Sequence, residues 1–329
     1  MDTKKNPWLM LSLLFLGLSA NNHLSLGADT ISANQSLFGD QTIVSAGGSF
    51  VLGFFKPGNS SKYYIGMWYS TSKVSTQTIV WVANRDKPVS DISSSVLRIS
   101  DGKLVLYNEF QIPVWSTNLN SNTSSPVEAV LLDEGNLVVR DGSNSSQYLW
   151  QSFDHPAHTW IPGSKLAFNK ITNENQRLIS WKNEEDPTPG FFSLEQQPNT
   201  SSYIILWNRS IQYWTSGAWD GKSFSLVPEM RSNYLNESNY LYNFSFVDNK
   251  NESYFTYSLY DPSMFSQLVL DVSGQIKQLT WLPTTNQWNL FWVQPKTQCE
   301  VYPFCGAFGS CNGKSLPFCS CLKGFVQKS

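Results

Sequence analysis

The 329-residue sequence has no cysteine before position 299, only three histidines and no dense run of lysine or arginine. Most of the chain must therefore fold by packing alone, without disulfide bonds. The formal net charge of −2 gives no field strong enough to attract nucleic acid or an anionic membrane. We therefore expect no nucleic-acid partner. A content of 41% hydrophobic and 15% charged residues is typical of a folded globular protein.

The N-terminus has the order of a secretory signal peptide, with two lysines, an apolar run from Trp8 to Leu18 and then small residues. This run is too short to cross a bilayer, and no later stretch has about 18 consecutive apolar residues. Cleavage after Ala20 is one alternative. Cleavage after Gly27 fits better, because Ser25 and Gly27 supply small side chains three residues and one residue before the cleaved bond. We therefore expect a signal peptide over residues 1–27 and a secreted chain without its own membrane anchor.

Sequons for N-glycosylation, of the form Asn-X-Ser/Thr, occur throughout the chain. They stand at Asn34, Asn59, Asn122, Asn144, Asn199, Asn208, Asn236, Asn243 and Asn251. Such sites carry bulky, solubilising glycan at the surface of secreted proteins. We expect most of the nine to be exposed and glycosylated.

The region up to Phe153 has the pattern of an all-β domain, because short apolar runs alternate with turn-forming residues and helical periodicity is absent. Segments centred on Trp81, Trp115 and Trp150 recur at spacings of 34 and 35 residues. Each unit is rich in β-branched residues, which predicts a small sheet rather than a helical repeat. Three such sheets can bury their apolar faces around a pseudo-threefold axis, with one tryptophan each at the centre, as a β-prism. The alternative is an irregular sandwich with the tryptophans as ordinary core.

The region from about Asp154 to Val293 keeps strand-like runs but is denser in aromatic residues. Antiparallel β structure is again expected. Clustered tryptophans could stack on sugar rings, yet core and inter-domain packing is the more frequent use of tryptophan. We therefore predict a second β-rich domain whose tryptophans are mainly core.

All cysteines lie near the C-terminus, at Cys299, Cys305, Cys311, Cys319 and Cys321. In an exported chain such clustering predicts a small module held by disulfides. A zinc site would need CxxC-type pairs or histidine partners, and the module has a CxC and no histidine. We expect no metal.

Four motifs in a fixed order resemble those of the plant S-locus receptor-like kinases, whose ectodomain begins with a bulb-type (G-type) lectin domain. They are Trp81 to Arg85 followed by Pro88, Asp133 to Val139, Leu149 to Pro156, and Tyr213 to Met230. The resemblance covers the chain after residue 27. It implies a β-prism bulb-type lectin domain over 28–153, an S-locus glycoprotein-like domain over 154–293 and a truncated EGF-like module over 294–329.

Receptors of this kind continue with a PAN module, a transmembrane helix and a cytoplasmic Ser/Thr kinase. This sequence has no Gly-rich nucleotide loop, VAIK-like lysine, HRD loop or DFG, so we expect no enzyme activity and no cofactor. The resemblance implies extracellular ligand recognition, in processes such as pollen recognition or defence. The ligand would be a peptide, a glycan or a small molecule, with dimerisation between receptors as a further expectation. The alternative is a secreted soluble mannose-type lectin.

Bulb lectins bind mannose through Q-x-D-x-N-x-V-x-Y. Because every second side chain of a β-strand points to the same face, this spacing puts the five named residues on one face. The better remnant of this motif retains Asp, Val and Tyr but has lost Gln and Asn; its positions are Asp101, Lys103, Val105 and Tyr107. A second remnant retains only Asn136 and Val138. Two or three lost hydrogen bonds cost about 2–4 kcal/mol, so we expect mannose binding to be weak or absent. Asp101-Gly102 also fits a simple hairpin turn.

The EGF-like resemblance implies the disulfides Cys299–Cys311 and Cys305–Cys319. Cys321 then has no partner in this sequence. Either the sequence is a fragment, or Cys321 is free and links two chains.

Two further clusters contain residue types that occur in chemical sites. His155 and His158 flank Pro156 and could form a metal pair, but proline disfavours the helix that would align them, no third ligand is evident, and the family commonly has Asp at position 158. The acidic run from Glu184 to Asp186 could supply hydrolase carboxylates, but adjacent acids before a proline predict a solvated loop.

Overall fold

The computed structural model describes residues 28–119, 126–231, 234–236 and 239–326, without side chains for 232–240. The predicted signal peptide and the Asn122 sequon lie outside the described residues. Within these ranges, helix is limited to three short 3-10 segments, Ser152–Asp154, Pro228–Arg231 and Gln298–Glu300, which confirms the all-β prediction. Over the described ranges, no helix has the length and apolar character needed to cross a membrane.

The first twelve strands form three four-stranded antiparallel sheets, which we call the first β unit. Their bounds are β1 (Thr30–Ile31), β2 (Ser36–Leu37), β3 (Thr42–Val44), β4 (Phe50–Phe55), β5 (Tyr64–Tyr69), β6 (Ile79–Val82), β7 (Val96–Ser100), β8 (Lys103–Tyr107), β9 (Pro113–Ser116), β10 (Val127–Leu131), β11 (Leu137–Asp141) and β12 (Tyr148–Gln151). The strand orders are β3-β4-β5-β6, β2-β7-β8-β9 and β1-β10-β11-β12. Each sheet thus takes three consecutive strands from one repeat and its first strand from the N-terminal segment.

The three repeated tryptophans lie on the last strands of the sheets and meet at the centre of the unit. Trp81 and Trp115 have ring centroids 5.9 Å apart, Trp81 and Trp150 are 6.1 Å apart, and Trp115 and Trp150 are 6.0 Å apart, all in edge-on geometry. Edge-on contacts are favourable because the positive edge of one ring meets the negative face of another. The predicted β-prism with a central tryptophan cluster is therefore confirmed.

Each tryptophan is held in the same register. It pairs with a fully buried residue of the neighbouring strand, and a bulge follows each pair; the pairs are Trp81 with Met67, Trp115 with Leu106, and Trp150 with Val139. Two or three residues after each tryptophan, a polar side chain accepts a hydrogen bond from a backbone N–H of the neighbouring strand. Asn84 accepts from Ile65, Thr117 from Leu104, and Ser152 from Leu137. The bulge and this bond bend each strand identically, which produces the threefold arrangement.

The next fourteen strands form the second β unit. Their bounds are β13 (Thr159–Trp160), β14 (Lys165–Asn169), β15 (Glu174–Asn175), β16 (Arg177–Asn183), β17 (Asp186–Gln196), β18 (Tyr203–Trp207), β19 (Ile211–Thr215), β20 (Tyr234–Asn236), β21 (Asn239–Tyr240), β22 (Tyr242–Asp248), β23 (Glu252–Leu259), β24 (Ser266–Leu270), β25 (Ile276–Leu282) and β26 (Gln287–Gln294). Three four-stranded sheets, β16-β17-β18-β19, β13-β24-β25-β26 and β15-β14-β23-β22, surround one core, beside the two-stranded β20-β21. This confirms the second β-rich region.

Two of these sheets repeat the tryptophan register of the first unit. Trp214 pairs with Ile205 and Trp292 pairs with Gln278, and in both cases a bulge follows. Trp292 belongs to the core and Trp214 packs against it, which is the role predicted for most of the tryptophans.

The C-terminal module consists of a short hairpin, β27 (Gly309–Cys311) and β28 (Cys319–Cys321), with two disulfides. The bonds join Cys299 to Cys311 and Cys305 to Cys319, the pairs that the family resemblance implies. Cys321 is free and exposed.

Candidate functional site

The better mannose-motif remnant lies in the β7–β8 hairpin. Asp101 and Gly102 form its two-residue turn, with φ of 49° and 71°. Positive φ at both positions is typical of the tight turns that match the twist of a β-hairpin. The turn interpretation of Asp101-Gly102 therefore holds, and Asp101 stands at the tip of the hairpin rather than within the strand.

The strand side chains of this remnant are engaged with their neighbours. The Tyr107 hydroxyl donates to Ser100 Oγ at 3.1 Å, and the Arg98 guanidinium lies 4.8 Å from the centre of the Tyr107 ring. Val105 is buried, and Lys103 is half-buried. A sugar would have to displace Arg98 before it could pack on the tyrosine, so this face offers little preformed recognition.

The second remnant has to be corrected. Val138 is 0% exposed and Asn136 is 3% exposed. The Asn136 amide donates to Gln151 Oε1 at 2.9 Å, and its oxygen accepts from Ser152 Oγ at 3.2 Å and from the Phe153 N–H at 3.3 Å. With its polar atoms satisfied inside the fold, Asn136 fixes the 3-10 segment to the hairpin. Neither residue is positioned to contact a sugar.

The two histidines lie in different surroundings. His155 is exposed but stacks one face of its ring on Trp150 at 5.2 Å, and the partial desolvation of the imidazole lowers its pKa. His158 is buried against Trp181 at 5.0 Å, and its Nδ1 has no hydrogen-bond partner. Within the described part of the chain, the only group of three potential metal ligands is Cys305, Cys311 and Cys319, all of which are in disulfides.

Sequence reasoning missed the role of Arg85, which joins the two β units. It is only 8% exposed; its Nε donates to the Pro187 carbonyl at 2.6 Å and its Nη2 to the Ser180 carbonyl at 2.7 Å. Burial lowers its pKa to about 10. No carboxylate forms an ion pair with Arg85 among the described residues. Arg85 is thus a buried cation held across the junction by carbonyl oxygens.

The environment of His158 predicts a pH-dependent stability. Its pKa is held well below 6.5, mainly by burial and also by the positive charge of Arg85. The folded state therefore binds fewer protons at His158 than the unfolded state. The contribution of neutral His158 to the free energy of unfolding is complete above the pKa that this histidine has in the unfolded chain, and it is lost as the pH falls below that value. We expect the unfolding midpoint to drop more steeply from pH 7 to pH 5 in the wild type than in His158→Gln. Equal slopes in urea unfolding series would contradict this.

The acidic run forms the tip of the β16–β17 hairpin. Glu184 and Glu185 are exposed, and Asp186 lies 3.8 Å from Lys182. Glu185 also accepts a weak bond from the Asn59 N–H at 3.4 Å. Glu184 and Glu185 match the predicted solvated loop, whereas Asp186 is the first residue of β17 and is half-buried.

A cleft of about 960 Å³ lies on the second β unit, next to the 3-10 segment Ser152–Asp154. Its walls are mainly polar and include the ion pairs Lys165–Glu252 and Arg177–Glu195. Side chains without a hydrogen bond among the described residues also line it, namely His155, Asn173 and Glu174. The cleft therefore offers donors, acceptors and charges of both signs to a polar ligand.

The described sequon asparagines are all exposed. They are Asn34, Asn59, Asn144, Asn199, Asn208, Asn243 and Asn251. The side chain of Asn236, like Asn122, lies outside the described residues. Every asparagine whose side chain is described can therefore be reached by the glycosylation machinery.

Comparison with known proteins places these features in a family. A model for D-mannose binding lectin matches residues 78–182, and a model for the S-locus glycoprotein domain matches residues 214–329. The S-locus-specific glycoprotein S6 of Brassica oleracea is 40% identical over 308 residues, which cover 92% of this chain and 68% of that protein. This chain belongs to the S-locus glycoprotein and S-receptor-like kinase family.

Receptor kinases of the same family match the chain over a similar length. A G-type lectin S-receptor-like serine/threonine-protein kinase of Arabidopsis thaliana is 57% identical over 313 residues, covering 93% of this chain and 37% of that kinase. A receptor-like serine/threonine-protein kinase of the same plant is 42% identical over 310 residues, covering 93% and 35%. The S-domain chain thus spans little more than a third of these kinases.

Proposed function

We propose that this S-domain chain is an extracellular ligand-recognition region of a plant receptor-like kinase. The observation that carries the proposal is its alignment with the receptor kinase of Arabidopsis thaliana, which includes 93% of the chain at 57% identity. The mechanism is binding by the two β units. Pollen recognition and defence signalling are the processes in which we place it.

Three features support an extracellular location. The described sequon asparagines are exposed, the C-terminal module has two disulfides, and residues 1–27 have the pattern of a signal peptide. Disulfides persist in oxidising compartments outside the cytosol. We accordingly propose domains over 28–153, 154–293 and 294–329, a division supported by the grouping of β1–β12, β13–β26 and β27–β28 into separate sheets.

The polar cleft is the proposed recognition surface. It combines the ion-paired side chains of the second β unit with groups that make no side-chain hydrogen bond, at His155, Asn173 and Glu174. The strand side chains of the mannose-motif remnants, by contrast, are buried or engaged with neighbours. A peptide, glycan or small polar molecule would find in the cleft the hydrogen-bonding partners that the remnants do not offer.

A mannose titration separates this proposal from a soluble mannose lectin. We expect no saturable binding at millimolar mannose, because the loss of two or three hydrogen bonds weakens affinity about 30-fold to 1,000-fold. The measurement is calorimetric titration of the secreted, glycosylated chain, with a glycan array in parallel. Saturable mannose binding that disappears in Asp101→Ala would favour the lectin. Array binding that disappears in Asn173→Ala with Glu174→Gln, and persists in Asp101→Ala, would identify the cleft as a glycan site.

A further inference from the structure

The turn between β18 and β19 consists of a sequon, Asn208-Arg209-Ser210. Asn208 and Arg209 have φ of 48° and 57°, and the Ser210 N–H donates to the Trp207 carbonyl at 3.1 Å. All three turn residues are exposed. A glycan on Asn208 would therefore stand at the tip of a tight hairpin whose backbone conformation is fixed.

Asn208 lies opposite an aromatic residue of the neighbouring strand. Trp207 pairs with Phe192, and the next bond in the ladder runs from the Asn208 N–H to the Phe191 carbonyl at 2.7 Å. This bond joins the two backbones at the end of the ladder, where the positive φ of Asn208 takes the chain out of the strand and into the turn. Phe191 is therefore the backbone neighbour of the glycosylation site across the hairpin.

The Phe191 ring is unusually open to solvent for its size. It is 58% exposed, although it stacks on Trp207 with centroids 6.3 Å apart and planes at 23°. Trp207 in turn contacts Tyr302 of the C-terminal module at 5.3 Å. The three rings form an aromatic strip whose outer end, Phe191, has one uncovered face.

We propose that the first N-acetylglucosamine of a glycan on Asn208 packs on the uncovered face of Phe191. One face of this sugar presents C–H groups, which fit the negative face of an aromatic ring and bury apolar surface there. Because the sugar is covalently held next to the ring, its effective concentration is high and little association entropy has to be overcome. The glycan shields an exposed hydrophobic ring and stabilises the β18–β19 turn.

A double-mutant cycle tests this contact. Ser210→Ala removes the sequon and leaves the left-handed Asn208 in place, and Phe191→Ala removes the ring. We expect Ser210→Ala to lower the unfolding midpoint of the secreted chain by about 2–4 °C when Phe191 is present, and to have no effect in the Phe191→Ala background. Glycopeptide mass spectrometry establishes occupancy of Asn208 in each variant that keeps the sequon.

A matched control comes from Asn59, an exposed sequon whose backbone neighbour is the carboxylate of Glu185. Ser61→Ala removes that glycan, and its effect should be the same with and without Phe191. A second readout is the NMR shift of the N-acetyl group on Asn208, which the ring current of Phe191 should move upfield and Phe191→Ala should restore.

Equal effects of Ser210→Ala in the two backgrounds would overturn the inference. So would an unoccupied Asn208 in a chain whose other sequons carry glycan, although that result would leave the proposed extracellular function intact. Absence of glycan from every sequon would count against both proposals.

Discussion

Trp81→Ala is expected to lower the free energy of unfolding by about 3–5 kcal/mol, as is usual for a large buried aromatic. The substitution removes the edge-on contacts with Trp115 and Trp150 and the bond from Trp81 Nε1 to the His155 carbonyl, 2.8 Å long. Because each sheet contributes one ring to the cluster, the loss is felt by all three sheets. Urea unfolding followed by circular dichroism measures the change.

Trp81→Phe provides the control, because it keeps an aromatic ring at the centre but removes the N–H donor. It leaves the His155 carbonyl, in a partly buried bond, without its partner, so we expect a loss of about 1–2 kcal/mol, smaller than that of the alanine variant. If Trp81→Ala cost less than about 1 kcal/mol, the three rings would not hold the first β unit together.

The tryptophan repeat could be predicted from sequence because its information is local. Each repeat places its own β strands, bulge and tryptophan within about 35 residues. The sheets that β1 and β2 join could not be predicted, since Thr30 pairs with Val130 and Ser36 with Arg98. Nothing in these two-residue strands specifies which sheet they join, because that choice depends on the closed arrangement of all three.

The candidate sugar-binding residues could be recognised in the sequence, but their accessibility could not be predicted from it. Period-two alternation predicts which side chains of a strand share a face, but it does not tell where the strand begins or whether that face is open. Asn136 and Val138 are buried, whereas the Asp101-Gly102 turn followed directly from its composition. The mannose motif was therefore recognisable in sequence, while its engagement by neighbouring residues such as Arg98 required the structure.

The contact between the two β units could not be predicted from the sequence, because the residues that form it are far apart along the chain. Arg85 and Ser180 are 95 residues apart, and the contact is made to backbone oxygens, which carry no side-chain information. The sequence offered His158 only as a possible metal ligand, whereas in the fold burial and the Arg85 charge lower its pKa. Backbone acceptors explain why an arginine is present here without an acidic partner.

Arg85→Ala is expected to lower the free energy of unfolding by about 3 kcal/mol. Two buried carbonyls, those of Ser180 and Pro187, lose their donor at about 1–3 kcal/mol each, and the packing of the aliphatic stem is lost as well. Relief of the buried charge, whose pKa is lowered to about 10 by burial, offsets part of this loss. The lost bonds and packing together outweigh this relief. Calorimetric unfolding should show the loss, and also whether the two β units then unfold separately.

Arg85→Met and Arg209→Gln complete this experiment. Methionine preserves most of the stem packing, so we expect Arg85→Met to lose less stability than Arg85→Ala, and the difference isolates the packing from the hydrogen bonds. Arg209 is an exposed arginine whose charge also acts on Arg85, and its substitution should change stability by no more than about 0.5 kcal/mol. If Arg85→Ala were as mild as Arg209→Gln, water would be replacing the guanidinium at both carbonyls, and Arg85 would not be what joins the two β units.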